Sequence, residues 1–190
     1  MAQKKICYIS DPAQLKVLAS SVRQEIIDYI EANGPSSIAQ LSGQLGHSPT
    51  ALYYHVEMLV EANLMQICGV QKGRRRSEEV FDVNGLLRLK YQPNNKKNVT
   101  ACKKLTDAML RVASKDFKEG FHPDLAVVEG KHRNLRSLRV QAWLTKSELA
   151  EVNRHIESIT EIFKKGRREE RKQLCSLTLV SSSKKPKAEK

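Results

Sequence analysis

Residues 38–64 read IAQLSGQLGHSPTALYYHVEMLVEANL, and they specify the central motif of the protein. Apolar residues recur at helical spacing in the first part of this stretch and predict a short helix over about residues 37–44. Gly46 then interrupts the pattern. Ser48, a residue type that caps helix starts, is followed by a proline, which is favoured at the first helical position. A second helix is therefore predicted from Ser48 to about Ala62.

The second helix has one apolar face and one face left for solvent or a partner. Leu52, Val56 and Leu59 recur at spacings of four and three and form the inner stripe. The residues that this arrangement leaves on the outer face are Thr50, Ala51, Tyr53, Tyr54 and Glu57.

A β-hairpin is predicted directly after the two helices. Residues 64–70 and 78–83 are short segments of strand-forming composition, and a glycine-containing loop joins them. Four basic residues lie in or beside that loop, namely Lys72, Arg74, Arg75 and Arg76. A short helix, a glycine turn, a second helix and a hairpin are typical of a winged helix-turn-helix, whose second helix enters the major groove of DNA.

Residues 11–83 resemble the winged helix-turn-helix of the ArsR family of bacterial transcriptional regulators. The pair His55-Val56 matches the His and aliphatic residue of the family's recognition helix, whereas Asn63 stands where the family often has glycine. The resemblance implies a homodimer on a roughly palindromic operator, acting as a repressor or an activator. Metal-sensing members carry a Cys-x-Cys pair near the start of the motif. This chain has no cysteine there, so we expect no metal site.

The flanking sequence predicts further elements. Residues 12–20 and 21–33 have helical periodicity, 92–98 have the composition of a linker, and 99–118 form a long amphipathic pattern. Residues 136–144 and 174–180 alternate like strands, and between them Thr145 and Glu148 predict a capping box for another helix. Residues 143–164 are similar to a strand-then-helix module appended in some members of the group.

The composition excludes several classes of protein. The 190 residues are 40% hydrophobic, enough to bury a core, and contain neither a bilayer-spanning apolar run nor a recognisable signal peptide. The four cysteines are widely spaced, as in a reduced, cytoplasmic protein. Up to Tyr91 the chain has 10 Lys and Arg residues against 9 Asp and Glu residues. After Tyr91 it has 23 against 12. This excess of positive charge favours polyanionic partners.

The predicted fold class is α+β, mainly α, with a smaller α/β C-terminal domain after the winged helix-turn-helix. The predicted divisions are a DNA-binding domain (1–91), a linker (92–98), a dimerisation and effector domain (99–180) and a disordered basic tail (181–190). Dimer contacts are expected from residues 11–20 and 99–118.

The predicted partners are double-stranded DNA and a second copy of the chain, with no membrane. The predicted DNA-binding residues are Ser48, Thr50, Ala51, Tyr53, Tyr54, His55, Lys72, Arg74, Arg75 and Arg76. No nucleophile elbow, P-loop or dinucleotide fingerprint is present, so no catalytic residue and no cofactor are expected. A small-molecule effector is left open, because Trp143 with Phe117 and Phe121 suits either an effector pocket or a core. The alternative function is a winged-helix module for protein interaction without specific DNA binding.

Overall fold

The computed structural model describes residues 5–73, 77–164 and 174–183. Within these ranges the elements are β1 (Ile6–Ile9), α1 (Pro12–Leu18), α2 (Ser21–Asn33), β2 (Ser36–Ser37), α3 (Ile38–Leu45), α4 (Pro49–Glu61), β3 (Met65–Lys72), β4 (Ser77–Val83), β5 (Leu86–Leu89), α5 (Lys96–Glu119) and α6 (Lys146–Lys164). The mixed architecture confirms the predicted α+β, mainly α class and the helix-turn-helix within it.

Side-chain caps set the starts of α1, α3 and α4, and the cap at Ser48 is the one predicted above from the sequence. Asp11 caps α1 by accepting a first-turn backbone N–H at 2.9 Å. Ser37 and Gln40 form a capping box at α3, where the Ser37 N–H donates to Gln40 Oε1 at 2.8 Å. Ser48 Oγ accepts the N–H of Ala51 at 3.3 Å and starts α4. These side chains satisfy backbone donors that have no partner within the helix.

The predicted hairpin is confirmed as β3 and β4, which pair antiparallel with Lys72 opposite Ser77. The register shifts between Ile67 and Gly69. The two-residue strand β2, which the sequence does not predict, pairs with the other edge of β4 and gives the order β2-β4-β3. Because β2 runs directly into the N-cap of α3, this pairing fixes the hairpin to the helix-turn-helix.

A second sheet, also absent from the sequence prediction, joins the beginning of the chain to the segment after the hairpin. Strands β1 and β5 pair in parallel, with Ile6 opposite Leu86 and Ile9 opposite Leu89. Each strand has only four residues. Segments this short lack a distinctive pattern, and their pairing depends on packing between distant parts of the chain.

Helix α5 packs against α1 and α2 and shares their hydrophobic core. It begins at Lys96, inside the segment predicted as a linker, because Asn95 caps it. Asn98 is fully buried: its Nδ2 donates to the carbonyl of Ser10 at 2.7 Å, and its Oδ1 accepts the N–H of Gln92 at 2.9 Å. The buried residues from Ile9 to Leu105 form one hydrophobic core. The domain boundaries stay a prediction.

The part of the chain after α5 differs from the sequence prediction. The helix after Thr145 is confirmed as α6, with the Glu148 N–H donating to Thr145 Oγ1 at 3.2 Å. The predicted strands at 136–144 and 174–180 are wrong: neither segment is a strand, so the described residues after 119 do not form the expected α/β domain. A strand requires a backbone partner, and within the described residues these segments have none.

The predicted basic tail is described only to residue 183, and 184–190 lie outside the described residues. Among the helices that the structure describes, none has both the length and the hydrophobicity needed to cross a membrane.

Candidate nucleic-acid interface

The turn between α3 and α4 is held by backbone geometry and one hydroxyl. Gly46 ends α3 with φ of 71°, a conformation in which other residues are strained by their Cβ atom. Ser42 Oγ donates to the carbonyl of His47 at 2.7 Å and bridges the turn from inside α3. The predicted turn is therefore confirmed, and Ser42 adds a hydrogen bond across it.

Helix α4 has the two faces that its sequence predicts. Leu52, Val56 and Leu59 are buried in the core. Tyr53 is 49% exposed and Tyr54 is 60% exposed. The other residues on the exposed face are Ser48, Thr50, Ala51, Glu57 and Glu61. The first two turns of α4 thus form a polar and aromatic surface on a rigid helix, the arrangement expected of a helix that reads base edges.

His55 is only half-buried and is held by a buried arginine that is not among the predicted functional residues. Arg23, on α2, is 9% exposed and donates from Nη1 to His55 Nδ1 at 3.2 Å. Its Nε donates to the carbonyl of Val17, and Nη1 lies 3.3 Å from Met58 Sδ. Residues 23, 27 and 30 recur at spacings of four and three, so periodicity places Arg23 beside the buried isoleucines of α2.

This environment fixes the protonation of His55. Burial, and after it the positive charges of Arg23 and His47, lower the pKa of His55 below its ordinary value. Burial also lowers the pKa of Arg23, which nevertheless remains a cation and can only donate. Nδ1 of His55 must therefore accept, so the neutral ring carries its proton on Nε2.

We expect the lowered pKa of His55 to make stability depend on pH. As the pH falls through the ordinary His value of 6.5, the unfolded chain binds a proton at residue 55 before the folded chain does, so the free energy of unfolding decreases. His55→Asn keeps an acceptor but removes the titration. Urea denaturation at a series of pH values should show a smaller loss toward acid for this variant than for the wild-type chain.

The matched control is His132→Asn, because His132 is exposed. The free energy of unfolding of this control variant should depend on pH as that of the wild-type chain does. Parallel profiles for His55→Asn and the wild type would contradict the assignment of this pH dependence to His55.

An ion-pair network connects the turn to α5. Glu25 accepts from His47 Nε2 at 3.0 Å and from Lys115 Nζ at 2.6 Å. Burial raises the pKa of Glu25, but the hydrogen bonds from Lys115 and His47 outweigh it and lower the pKa overall. The carboxylate therefore stays ionised at neutral pH and ties the turn, α2 and α5 together.

The hairpin lies beside the helix-turn-helix. Lys72 is exposed at the end of β3, while Arg74, Arg75 and Arg76 lie outside the described residues. Gln71 Nε2 donates to Gln40 Oε1 at 3.3 Å and connects the hairpin to α3.

The sequence leaves open whether Phe117, Phe121 and Trp143 line an effector pocket or a core, and the structure pairs only the two phenylalanines. The rings of Phe117 and Phe121 meet edge to face with centroids 5.2 Å apart. Trp143 is 84% exposed, so within one chain it belongs neither to a core nor to a closed effector pocket.

The helix-turn-helix has a counterpart among known families. Residues 18–67 match the family model described as a helix-turn-helix domain. This range contains α2, α3, the turn and α4, and it ends at the start of β3. The match supports the motif and leaves the ArsR subtype a proposal. No curated protein matches the chain at a significant level.

Two solved structures show limited similarity. A mutant of ZitR from Lactococcus lactis is 16% identical, with 74% of this chain and 73% of that chain covered, at a TM-score of 0.27. RV1404 from Mycobacterium tuberculosis is also 16% identical, with 84% and 86% covered, at a TM-score of 0.29. Scores this low do not establish a common overall fold.

Proposed function

We propose that the protein is a sequence-specific DNA-binding transcriptional regulator of the ArsR type. The proposal rests on the first two turns of α4. Their outer face is exposed, and buried Leu52 and Val56 hold the helix in place. A rigid helix with a polar and aromatic outer face suits insertion into the major groove. The proposal includes a bacterial, cytoplasmic protein with no enzymatic activity.

The residues of α4 have distinct proposed roles. Thr50, Ala51, Tyr53 and Tyr54 meet base edges and the sugar-phosphate wall, and Ser48 lies at the helix start, where backbone N–H groups favour phosphate. His55 stays among the proposed contacts, although its Nδ1 is occupied by Arg23. Neighbouring residues on a helix point about 100° apart, so Tyr53 and Tyr54 contact different parts of the duplex.

A homodimer on a palindromic operator is part of the proposal. Two copies of the motif related by a two-fold axis would meet half-sites about 34–36 Å apart. The proposed contact surfaces are the helices predicted at 11–20 and 99–118. In one chain α1 and α5 pack on each other, so the outer sides of this pair would form the dimer contact. A small-molecule effector stays an open prediction.

The basic hairpin should contribute to affinity by contacting the flanking minor groove or phosphates. We expect replacement of Lys72, Arg74, Arg75 and Arg76 by Ala to weaken binding and to reduce the slope of log K against log salt. The slope is negative, and its magnitude should fall by about 0.9 for each phosphate that the variant no longer neutralises. Fluorescence anisotropy with labelled duplex DNA over a salt series measures the binding constant at each salt concentration and hence the slope.

A matched control removes four lysines from the C-terminal end, at Lys184, Lys185, Lys187 and Lys190. The change in net charge is the same, and the slope should stay near the wild-type value. Equal slopes for the hairpin variant and the wild-type chain would exclude the hairpin from the DNA interface.

A protein-interaction module is the second candidate function. Exposed Glu57 and Glu61 on α4 favour it, because carboxylates near phosphates are repelled. Selection of bound fragments from genomic DNA, followed by a gel shift over a salt series, distinguishes the two. Salt-sensitive enrichment of a palindromic sequence supports the regulator, and absence of any binding supports the interaction module.

A further inference from the structure

His55 lies at the border between the buried and the exposed face of α4. It comes three residues after Leu52 and four before Leu59, so it adjoins the inner stripe, whereas Tyr54 points outward. The rings of Tyr54 and His55 meet edge to face with centroids 5.3 Å apart. When a helix enters a groove, a side chain at this border faces the sugar-phosphate wall, while the centre of the outer face meets the base edges.

The two ring nitrogens of His55 have different surroundings. Nδ1 accepts from Arg23 Nη1 at 3.2 Å, and Nε2 has no hydrogen-bond partner within the described part of the chain. In that part, no side-chain nitrogen or oxygen is both buried and without a partner, so Nε2 reaches solvent. Because Nε2 carries the proton of the neutral ring, His55 presents one N–H donor beside the outer face of α4.

Arg23 is well placed to hold this ring orientation. Its guanidinium joins three helices, since Nε donates to the carbonyl of Val17 on α1, and Nη1 lies 3.3 Å from Met58 Sδ on α4. A ring turned by half a rotation about its Cβ–Cγ bond would set a C–H group against the guanidinium and lose the hydrogen bond. Since a guanidinium only donates and keeps its charge, Nδ1 is held inward as an acceptor and Nε2 outward as a donor.

We propose that Arg23 is a positioning residue for DNA binding, which holds His55 so that its Nε2–H group donates to a phosphate oxygen of the duplex. This inference rests on the proposed function, because it assigns a role within the same α4 surface. Arg23 itself is buried between the helices and does not reach the duplex in this arrangement. A neutral donor adds a hydrogen bond without releasing a counterion, so it strengthens binding without changing the salt dependence.

The ring is tested first without DNA, in the full chain labelled with 15N. Long-range 1H–15N correlation spectra distinguish a protonated ring nitrogen from an unprotonated one, and the spectrum of His55→Asn identifies the signals of residue 55. At neutral pH the proton should be on Nε2. A wild-type ring that carries its proton on Nδ1 would overturn the proposal.

The same spectra, recorded over a pH series, test the contact with Arg23. Burial, and after it the charges of Arg23 and His47, lower the pKa of His55. Arg23→Met should therefore raise this pKa, and Arg23→Lys, which keeps the charge, should leave it low. An unchanged pKa in Arg23→Met would show that Arg23 does not hold the ring, and the proposal would fail.

The second test is a double-mutant cycle on DNA binding, measured by fluorescence anisotropy at neutral pH. His55→Ala and Arg23→Met should each weaken binding about tenfold, equally on the selected operator and on unrelated duplex. The double variant should bind no more weakly than His55→Ala, because Arg23 acts through His55. Arg23→Lys should recover most of the affinity, since an ammonium group also donates. If Arg23→Met does not fold, Arg23→Gln replaces it, because the shorter amide does not reach the ring.

The salt dependence separates positioning from direct contact. The slope of log K against log salt should keep its wild-type value in both single variants. A slope smaller in magnitude by about 0.9 in Arg23→Met would mean that Arg23 itself neutralises a phosphate. The matched control is Arg136→Met, the same change at an exposed arginine outside α2 and α4, which should keep the affinity within about twofold.

The possible failures are distinguishable. A wild-type chain that binds no duplex contradicts the proposed function and this inference with it. Binding with additive losses in the double variant contradicts only the role of Arg23. A loss confined to the operator contradicts the phosphate contact, because a phosphate contributes equally on any sequence.

Discussion

Replacing Thr50, Tyr53 and Tyr54 together by Ala is expected to weaken binding to the selected operator by about 100-fold or more. Each good base contact contributes about 1–3 kcal/mol of discrimination, and about 1.4 kcal/mol corresponds to a factor of ten. Binding to unrelated duplex should fall much less, because phosphate contacts dominate non-specific affinity. Competition anisotropy at one fixed salt concentration measures both affinities.

The control for this variant removes exposed tyrosines elsewhere. Tyr8 and Tyr91 are 65% and 62% exposed and lie outside α4. Their double Ala variant should keep operator affinity within about twofold, because neither side chain belongs to the proposed DNA-binding surface of α4. Surface substitutions of this kind also usually change stability by no more than about 0.5 kcal/mol, so the variant should stay folded. If the α4 triple variant retained operator specificity, another surface would have to read the sequence.

The largest effect on stability is expected from Leu52→Ala. Leu52 is fully buried beneath the exposed face of α4, so its truncation removes apolar contacts and leaves a cavity. Substitutions of this type cost about 2–5 kcal/mol, and chemical denaturation should show the loss as a lower midpoint. Because Leu52 is the support of the α4 surface, operator binding should decline as the folded fraction declines.

The neighbouring residue provides the comparison. Tyr53→Ala removes an exposed side chain one position along the same helix, and the free energy of unfolding should change by no more than about 0.5 kcal/mol. A small effect at Leu52 would mean that α4 is not anchored by its buried stripe. A large effect at Tyr53 would mean that this side chain serves the core.

Elements governed by local chemistry could be predicted from the sequence. The caps at Ser48 and Thr145 are confirmed because each acts within three residues of itself. The inner stripe of α4 is confirmed because helical periodicity alone separates its faces. By contrast, no periodicity shows that the guanidinium of Arg23 reaches His55 on another helix.

Strand patterns were less reliable than helix patterns after residue 119. Residues 136–144 alternate as a strand should, yet they pair with no described backbone. Helix α6 satisfies most of its backbone hydrogen bonds internally, so its prediction needed no partner. The sequence does not predict the pairing of β1 with β5, because the hydrogen-bonding partner of each strand lies about eighty residues away in the chain.

The helix-turn-helix, its glycine turn, the outward tyrosines and the basic hairpin follow from the amino-acid order alone, because helix periodicity, capping and turn conformation act over a few residues. Three other features came only from the way the chain packs: α5 completes the first core, Arg23 holds His55, and β1 pairs with β5. These depend on which distant surfaces meet, and burial of apolar area is non-directional, so no short pattern of residues specifies them.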